Sequence, residues 1–218
     1  YMPPDGEPVS FDEIKTLIWW INNLDKSNEN LVSLKVEDDI KESLEMLYSL
    51  NFREKQWFEK LLTDKLEESL VQNIDKSVFQ IKFISNDKKF ISVKSLKKNI
   101  SISDIEKLEK ISRNITYFTA KSSNLSNESI KSISSFKNLV KLEIQDNNID
   151  DESIKILQSL KNLEILNIHN TKITSQSIGV LKNFKNLKRA YVWGTSITKR
   201  EVDEFNRKEG KLKLIGGS

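Results

Sequence analysis

The chain has 218 residues, 31% charged and 37% hydrophobic, enough for one or two domains with packed cores. Its 35 Lys and Arg against 32 Asp and Glu give a net charge of +3; with no long basic run and no Gly-rich phosphate loop, this balance argues against nucleic acid as a partner, and Lys88-Lys89 and Lys97-Lys98 read as solvated surface. The lack of cysteine excludes disulfides, thiolate metal sites and cysteine nucleophiles, the single His169 excludes multi-histidine metal sites, and no apolar run reaches the roughly 18–20 residues of a membrane helix.

Residues 1–30 open on a rigid, turn-rich Met2-Pro3-Pro4-Asp5-Gly6. Ser10-Phe11-Asp12-Glu13 then matches a capping box, with Ser10 as N-cap and Glu13 three residues on. Phe11, Ile14, Leu17, Ile18, Ile21 and Leu24 follow as one apolar helical stripe, with Trp19 nearly opposite. Trp19 is therefore either a second contact surface or a packing residue against the following helices. Residues 31–76 carry no repeat. Ile40, Leu44 and Leu47 are spaced for one helix face, and Trp57, Phe58, Leu61 and Leu62 suggest a second helix. This stretch is expected to be a helical connector and N-terminal cap for what comes next.

Residues 77–218 are periodic. Phe79-x-Ile81-x-Phe83 alternates as a strand does. Phe90, Val93, Ile100, Ile105, Leu108 and Ile111 form a degenerate first unit. Four units then start at Ile115, Leu139, Leu163 and Leu187, each 24 residues after the last. Leu139-Val-Lys-Leu142-Glu-Ile144 and Leu163-Glu-Ile-Leu166-Asn-Ile168 show their L-x-x-L-x-L pattern, that of a leucine-rich repeat. Later columns also hold register, such as Ile130, Ile154, Ile178 and Val202, or Ile133, Leu157, Leu181 and Phe205. Their spacing of three suits a short helix. Asn138, Asn162 and Asn186 precede each strand, where Asn tolerates a left-handed helix end. Leu212-x-Leu214 reads as a last strand, ended by Gly216-Gly217. The expected fold is α/β, a leucine-rich-repeat solenoid with parallel strands on the concave face and short helices on the convex face. One strand and one helix cannot bury their apolar sides alone, so neighbouring units must stack.

Strand alternation sends the residues between the core positions to the concave face. The columns are Tyr117, Lys141, Ile165, Arg189; then Thr119, Glu143, Asn167, Tyr191; then Lys121, Gln145, His169, Trp193. Ile165, Asn167, His169, Arg189, Tyr191 and Trp193, flanked by Glu143 and Gln145, make the candidate binding patch, since Tyr, Trp and Arg are enriched at interface hot spots. Tyr191 and Trp193 could equally shield the last strand. No catalytic constellation emerges. Asp150-Asp151-Glu152 falls at a helix start, where acidic residues complement the helix dipole, and no G-x-S-x-G elbow is present. His169 reads as a polar contact rather than a metal ligand, and the Asn-x-Ser/Thr sequons at Asn99, Asn114, Asn124 and Asn127 are what an Asn- and Ser-rich chain produces by chance.

Both ends carry a resemblance. Met2-Pro-Pro-Asp-Gly-Glu-Pro-Val-Ser-Phe-Asp-Glu-Ile-Lys-Thr-Leu-Ile-Trp-Trp-Ile21 resembles the close of the planctomycete-type cytochrome c domain. Leu187-Lys-Arg-Ala-Tyr-Val-Trp193-Gly-Thr-Ser-Ile-Thr198 resembles the last repeat of the leucine-rich segment in the same bacterial proteins, and Val78 to Val93 resembles the stretch before it. The resemblance implies that residues 1–30 are the tail of a truncated haem domain and that the chain is part of a larger, membrane-anchored protein. It further implies export to the periplasm or cell envelope, with electron transfer and a redox partner for the intact polypeptide. Met2 would be the sixth ligand of a c-type haem there. This chain has no C-x-x-C-H, so no haem is expected in it. The expected function is non-catalytic binding of a protein or glycan, with no membrane contact by this fragment. The alternative is an electron-transfer cytochrome whose repeats are a docking scaffold.

Overall fold

A computed structural model describes residues 11–22, 36, 40, 43–44 and 61–217. The chain divides into two units, residues 1–56 and 57–218. In the first, helix α1 spans Phe11–Asn22. Trp19 is buried, in a cluster with Val36, Ile40 and Leu44, whereas Ile14, Leu17, Ile18 and Ile21 are exposed. The expected orientation is therefore reversed: the side holding Trp19 and Thr16 is the inner one. A single indole buries more area than any one aliphatic chain of the stripe, so α1 turns towards it. Trp19 is a packing residue on Ile40 and Leu44. Met2, Ser10, Leu24, Leu47, Trp57 and Phe58 lie outside the described residues.

The second unit is α/β. Seven strands form one sheet in chain order: β1 Phe79–Phe83, β2 Ile91–Ser95, β3 Ile115–Thr119, β4 Lys141–Glu143, β5 Ile165–Asn167, β6 Arg189–Tyr191 and β7 Lys213–Ile215. Helix α2, Glu68–Gln72, precedes β1, and residues 61–67 are not helical, so Leu61 and Leu62 are not on the helix their spacing suggested. Short helices fill the connections: α3 Ile102–Glu106, α4 Asn127–Ile133, α5 Asp151–Leu157, α6 Gln176–Lys182 and α7 Lys199–Lys208. The sheet is parallel except for its first pair. β1 runs antiparallel to β2 with Ile81 opposite Val93. Residues 84–90 are too few for the crossover a parallel pair needs, so a hairpin is the only connection open to them.

From β3 to β6 the register steps by the sequence period. Leu142 stands beside Phe118, Leu166 beside Leu142 and Ala190 beside Leu166. These inward residues share one core with Ile130, Ile133, Ile154, Leu157 and Leu181 of the helices. Leu66, Ile74 and Val78 belong to that core too. Phe118 is wholly buried in it, with Phe136 edge-on at 5.5 Å and Phe79 at 6.5 Å.

Polar columns run through the same stack. Ser123, Asn147, Thr171 and Thr195 are buried at one position of successive units. Asn147 is the most heavily used. Its Nδ2 donates to the carbonyls of Ala120 and Ile144, and its Oδ1 accepts from the backbone N–H of Ser123 and of Leu125, all within 3.0 Å. Asn138, Asn162 and Asn186 do not end helices in the left-handed region. Instead each Nδ2 reaches the previous unit, donating to the carbonyls of Arg113, Lys137 and Lys161 at 2.7–2.9 Å. The helix ends are Ser134, Gln158 and Asn183, all right-handed, and a carbonyl of the neighbouring unit is the better partner for the amide. A left-handed column, Ser122, Asp146, Asn170 and Gly194, recurs in the turn after β3, β4, β5 and β6, with Asn124 a second left-handed residue in the first of these turns. Helix starts are capped by Ser101, Ser126, Asp150 and Thr198, with full capping boxes to Asp104 and Glu201.

The Asn147 amide gives a direct test. Asn147→Leu keeps the volume but strands two buried N–H groups, each costing about 1–3 kcal/mol. Urea unfolding should show a loss of roughly 3 kcal/mol, while the exposed neighbour change Asn148→Leu should leave stability nearly unchanged. Equal stability in the two variants would disprove the role of the amide.

Candidate functional site

The side of the sheet away from the shared core carries the candidate residues. Strand pairing aligns Tyr117, Lys141, Ile165 and Arg189 in one row, continued by Lys213. Thr119, Glu143, Asn167 and Tyr191 form the next, continued by Ile215. The third row is tied by the turns beyond the strands, where Ser122 N–H donates to the Gln145 carbonyl, Asp146 to that of His169 and Asn170 to that of Trp193, at 2.7–3.1 Å. All eight candidate residues, from Glu143 to Trp193, thus share one face.

The face is uneven. At its N-terminal end Tyr117 packs with Leu61, Phe90 and Val140, which covers the first strands. In the middle, Glu143 is engaged twice, accepting from Thr119 Oγ1 and pairing with Lys141 Nζ, both at 2.9 Å. Gln145 carries a buried Oε1 without a hydrogen-bond partner among the described residues. At the C-terminal end Tyr191 and Trp193 stack, ring centroids 5.6 Å apart and planes 27° apart. Trp193 is 47% exposed, and Arg189 is exposed without an ion pair among the described residues. One edge of the indole rests on Gly216, whose φ of +120° leaves no room for a side chain: a Cβ there would stand 2.8 Å from Trp193 Cγ. The Tyr191–Trp193 pair is thus fixed from beneath and open above.

Asp146, absent from the candidate residues, organises the rim beside them. Its Oδ1 accepts from Asn170 Nδ2 at 2.7 Å and lies 3.6 Å from His169 Nε2, while Oδ2 lies 3.6 Å from Lys121 Nζ. The Asn170 hydrogen bond, outweighing partial burial, holds its carboxyl below the usual Asp range, with His169 and Lys121 adding to it. The signal was present in the sequence as a Ser122, Asp146, Asn170, Gly194 column, since Asn, Asp and Gly are the residues that tolerate left-handed backbone. Lys188 and Glu164, paired at 3.1 Å immediately before β6 and β5, were also not anticipated.

The acidic run at 150–152 is structural. Asp150 caps α5 by accepting from Glu152 N–H at 3.0 Å, and Glu152 pairs with Lys155 at 3.0 Å. Asp151 crosses to the next unit, accepting from Thr174 N–H at 2.9 Å, Thr174 Oγ1 at 2.7 Å and the Ser177 hydroxyl. Burial alone would raise the Asp151 carboxyl, but the Ser177 and Thr174 bonds outweigh it and hold it below its ordinary 3.8. Among the described residues no three His, Asp or Glu side chains gather as a metal set, and no helix is long and apolar enough to cross a membrane. A c-type haem, the group the family resemblance brings with it, does not fit this chain: no thiol exists to attach it, and the one methionine assigned to it lies outside the described residues. Compared with known proteins, the chain matches no family model and no curated relative.

A depressed folded-state pKa stabilises above the unfolded value and loses that contribution as pH falls through the folded one. For Asp151 the window lies below its ordinary 3.8. Asp151→Asn should therefore flatten the acid limb of a stability-against-pH profile, measured by urea unfolding from neutral pH to pH ~2. Profiles that stay parallel below the ordinary Asp pKa would remove Asp151 from the acid response.

Proposed function

We propose that residues 77–218 are a leucine-rich-repeat solenoid, and that the chain is a non-catalytic module which docks a protein or glycan on its concave face. The observation that carries this reading is the Tyr191–Trp193 stack, held from below by Gly216, half-exposed and flanked by Arg189 and Ile165. A rigid aromatic pair loses little side-chain entropy on binding, and Tyr, Trp and Arg dominate the energetics of natural interfaces. Asn167 and His169 add polar contacts within the same rows. The N-terminal end of the face, covered by Leu61, offers no comparable opening. The parent is read as a larger exported bacterial cytochrome-like protein, on the Met2-Pro3-Pro4 and Trp193 motifs. In it an upstream haem domain, with Met2 as axial ligand, would transfer electrons to a redox partner near whatever the repeats hold.

Affinity capture on the 218-residue chain, followed by titration of the recovered partner, tests the site. Tyr191→Ala with Trp193→Ala should weaken that complex about 100-fold, roughly 3 kcal/mol, while Lys155→Ala on a helix leaves it unchanged. A folded double variant that binds as tightly as the parent would sink the concave-face reading. The parent is tested separately by haem staining of the full-length product on a denaturing gel, where a band without covalent haem would end the cytochrome reading.

A further inference from the structure

The two ends of the sheet differ in how their free edges are protected. β7 is three residues long, follows Lys211 and includes Lys213, both exposed, and stops at Gly216-Gly217. Short strands and lysines are the usual means of discouraging edge-to-edge pairing. β1 is the longer edge, Phe79-Gln80-Ile81-Lys82-Phe83, with a single lysine.

The ladder fixes which backbone groups of β1 are free. Ile84 N–H donates to the Phe90 carbonyl and Leu96 N–H to the Val78 carbonyl. In an antiparallel pair hydrogen-bonded and non-bonded positions alternate, so the even residues of β1 point their backbone groups at β2. The N–H and C=O of Ile81 and Phe83 and the C=O of Phe79 therefore point away from the sheet, while Phe79 N–H is taken by the Asp75 carbonyl. Beside this edge lies a largely apolar groove of about 280 Å³ lined by Val71, Ile74, Phe79, Ile81 and Leu96, with Lys76 and Gln80 at its polar margin. Leu96 is 52% exposed.

We propose that β1 pairs with β1 of a second copy of this chain, antiparallel and centred on Ile81, to make a two-fold dimer with a continuous sheet. The strand is self-complementary in that register. Ile81 meets Ile81 in a hydrogen-bonded pair, and Phe83 N–H donates to the Phe79 carbonyl of the other copy, an acceptor that no described residue uses, since the Asp75 bond takes only the Phe79 N–H. Phe83 of each copy then stands beside Phe79 of the other, over the groove that Val71 and Ile74 leave open. On the opposite side of the sheet Gln80 faces Lys82, so no like charges are directly opposed. A two-fold contact of this kind uses the same patch on both molecules and leaves no growing end. One short strand and two small grooves make a modest interface, so association in the micromolar range is expected.

The chain has no cysteine, which makes the register directly readable. Gln80 and Lys82 of the two copies occupy a non-hydrogen-bonded pair, where Cα atoms approach to about 4.5 Å and a disulfide fits. The full chain carrying Gln80→Cys, mixed with the full chain carrying Lys82→Cys and oxidised, should give a covalent dimer on a non-reducing gel, well above the yield of either variant alone. In sedimentation equilibrium the unmodified chain should reach a dimer at tens of micromolar. Ile81→Pro removes only an outward N–H, the one place a strand tolerates proline, and should shift that equilibrium at least tenfold towards monomer while circular dichroism stays native. A monomer throughout the range overturns the proposal and leaves the edge to an extended segment of another protein. A dimer that Ile81→Pro does not weaken, or mixed variants that cross-link no better than single ones, overturns it as well. If Ile81→Pro fails to fold, Ile81→Lys, which opposes two like charges across the axis, replaces it with the same expected shift.

Discussion

Everything described in residues 61–217 depends on neighbouring units standing in one register. Leu142 against Leu166 and Phe118 against Leu142 place apolar side chains at the same height in every strand, and the helix residues Ile154 and Leu157 close the core from the other side. No unit of 24 residues could bury such a face by itself. The hydrogen bonds enforce the same step. Asn138, Asn162 and Asn186 reach back to the previous unit's carbonyl, and Asn147 joins Ala120, Ser123 and Leu125 to its own turn. A slip by one residue would break the apolar and the polar columns together, which gives the register its specificity.

That rigid step is what makes the outer face of the sheet usable. Positions two residues apart on one strand and 24 apart in the chain fall into straight rows, so chemistry scattered through the sequence becomes contiguous. The rows are not equivalent, however. Tyr117 is spent on Leu61 and Phe90, Glu143 on Thr119 and Lys141. Only towards β6 do large side chains remain available, with Trp193 supported by Gly216. The proposed docking site and the proposed dimer edge lie at opposite ends of the sheet, so the two readings make independent demands on the molecule.

Much of this was legible in the sequence, for a physical reason. Columns repeated at a fixed spacing report burial directly, and the repeat strands, the short helices between them and the rows of the open face follow from them, while alternation alone marked the strand at 79–83 and Leu212-x-Leu214 marked a last strand that lies at 213–215. What was not legible depended on choices that periodicity does not record. Trp19 and the Ile14, Leu17, Ile18, Ile21 stripe are both apolar arcs of one helix, and pattern alone cannot say which one turns inward. Asn138 was assigned to a helix end because Asn tolerates left-handed backbone, but its amide found a carbonyl on another unit. Leu61 and Leu62 had helical spacing without a helix, since one residue is buried against Phe90 and the other stands in solvent. The antiparallel start of the sheet was hidden in a loop length, residues 84–90, rather than in any side chain.

That loop has a consequence for the order in which the molecule assembles. Each parallel pairing from β2 onward must first close a crossover of some twenty residues, and the entropy of that closure is lost before any strand contact compensates for it. The hairpin of β1 and β2 closes over residues 84–90 alone, the most local contact in the sheet. Local contacts form fastest, so the N-terminal end is the natural seed. Once the seed exists, each later unit meets a preformed surface and adds to it singly, and the stack grows in the direction in which the chain is synthesised.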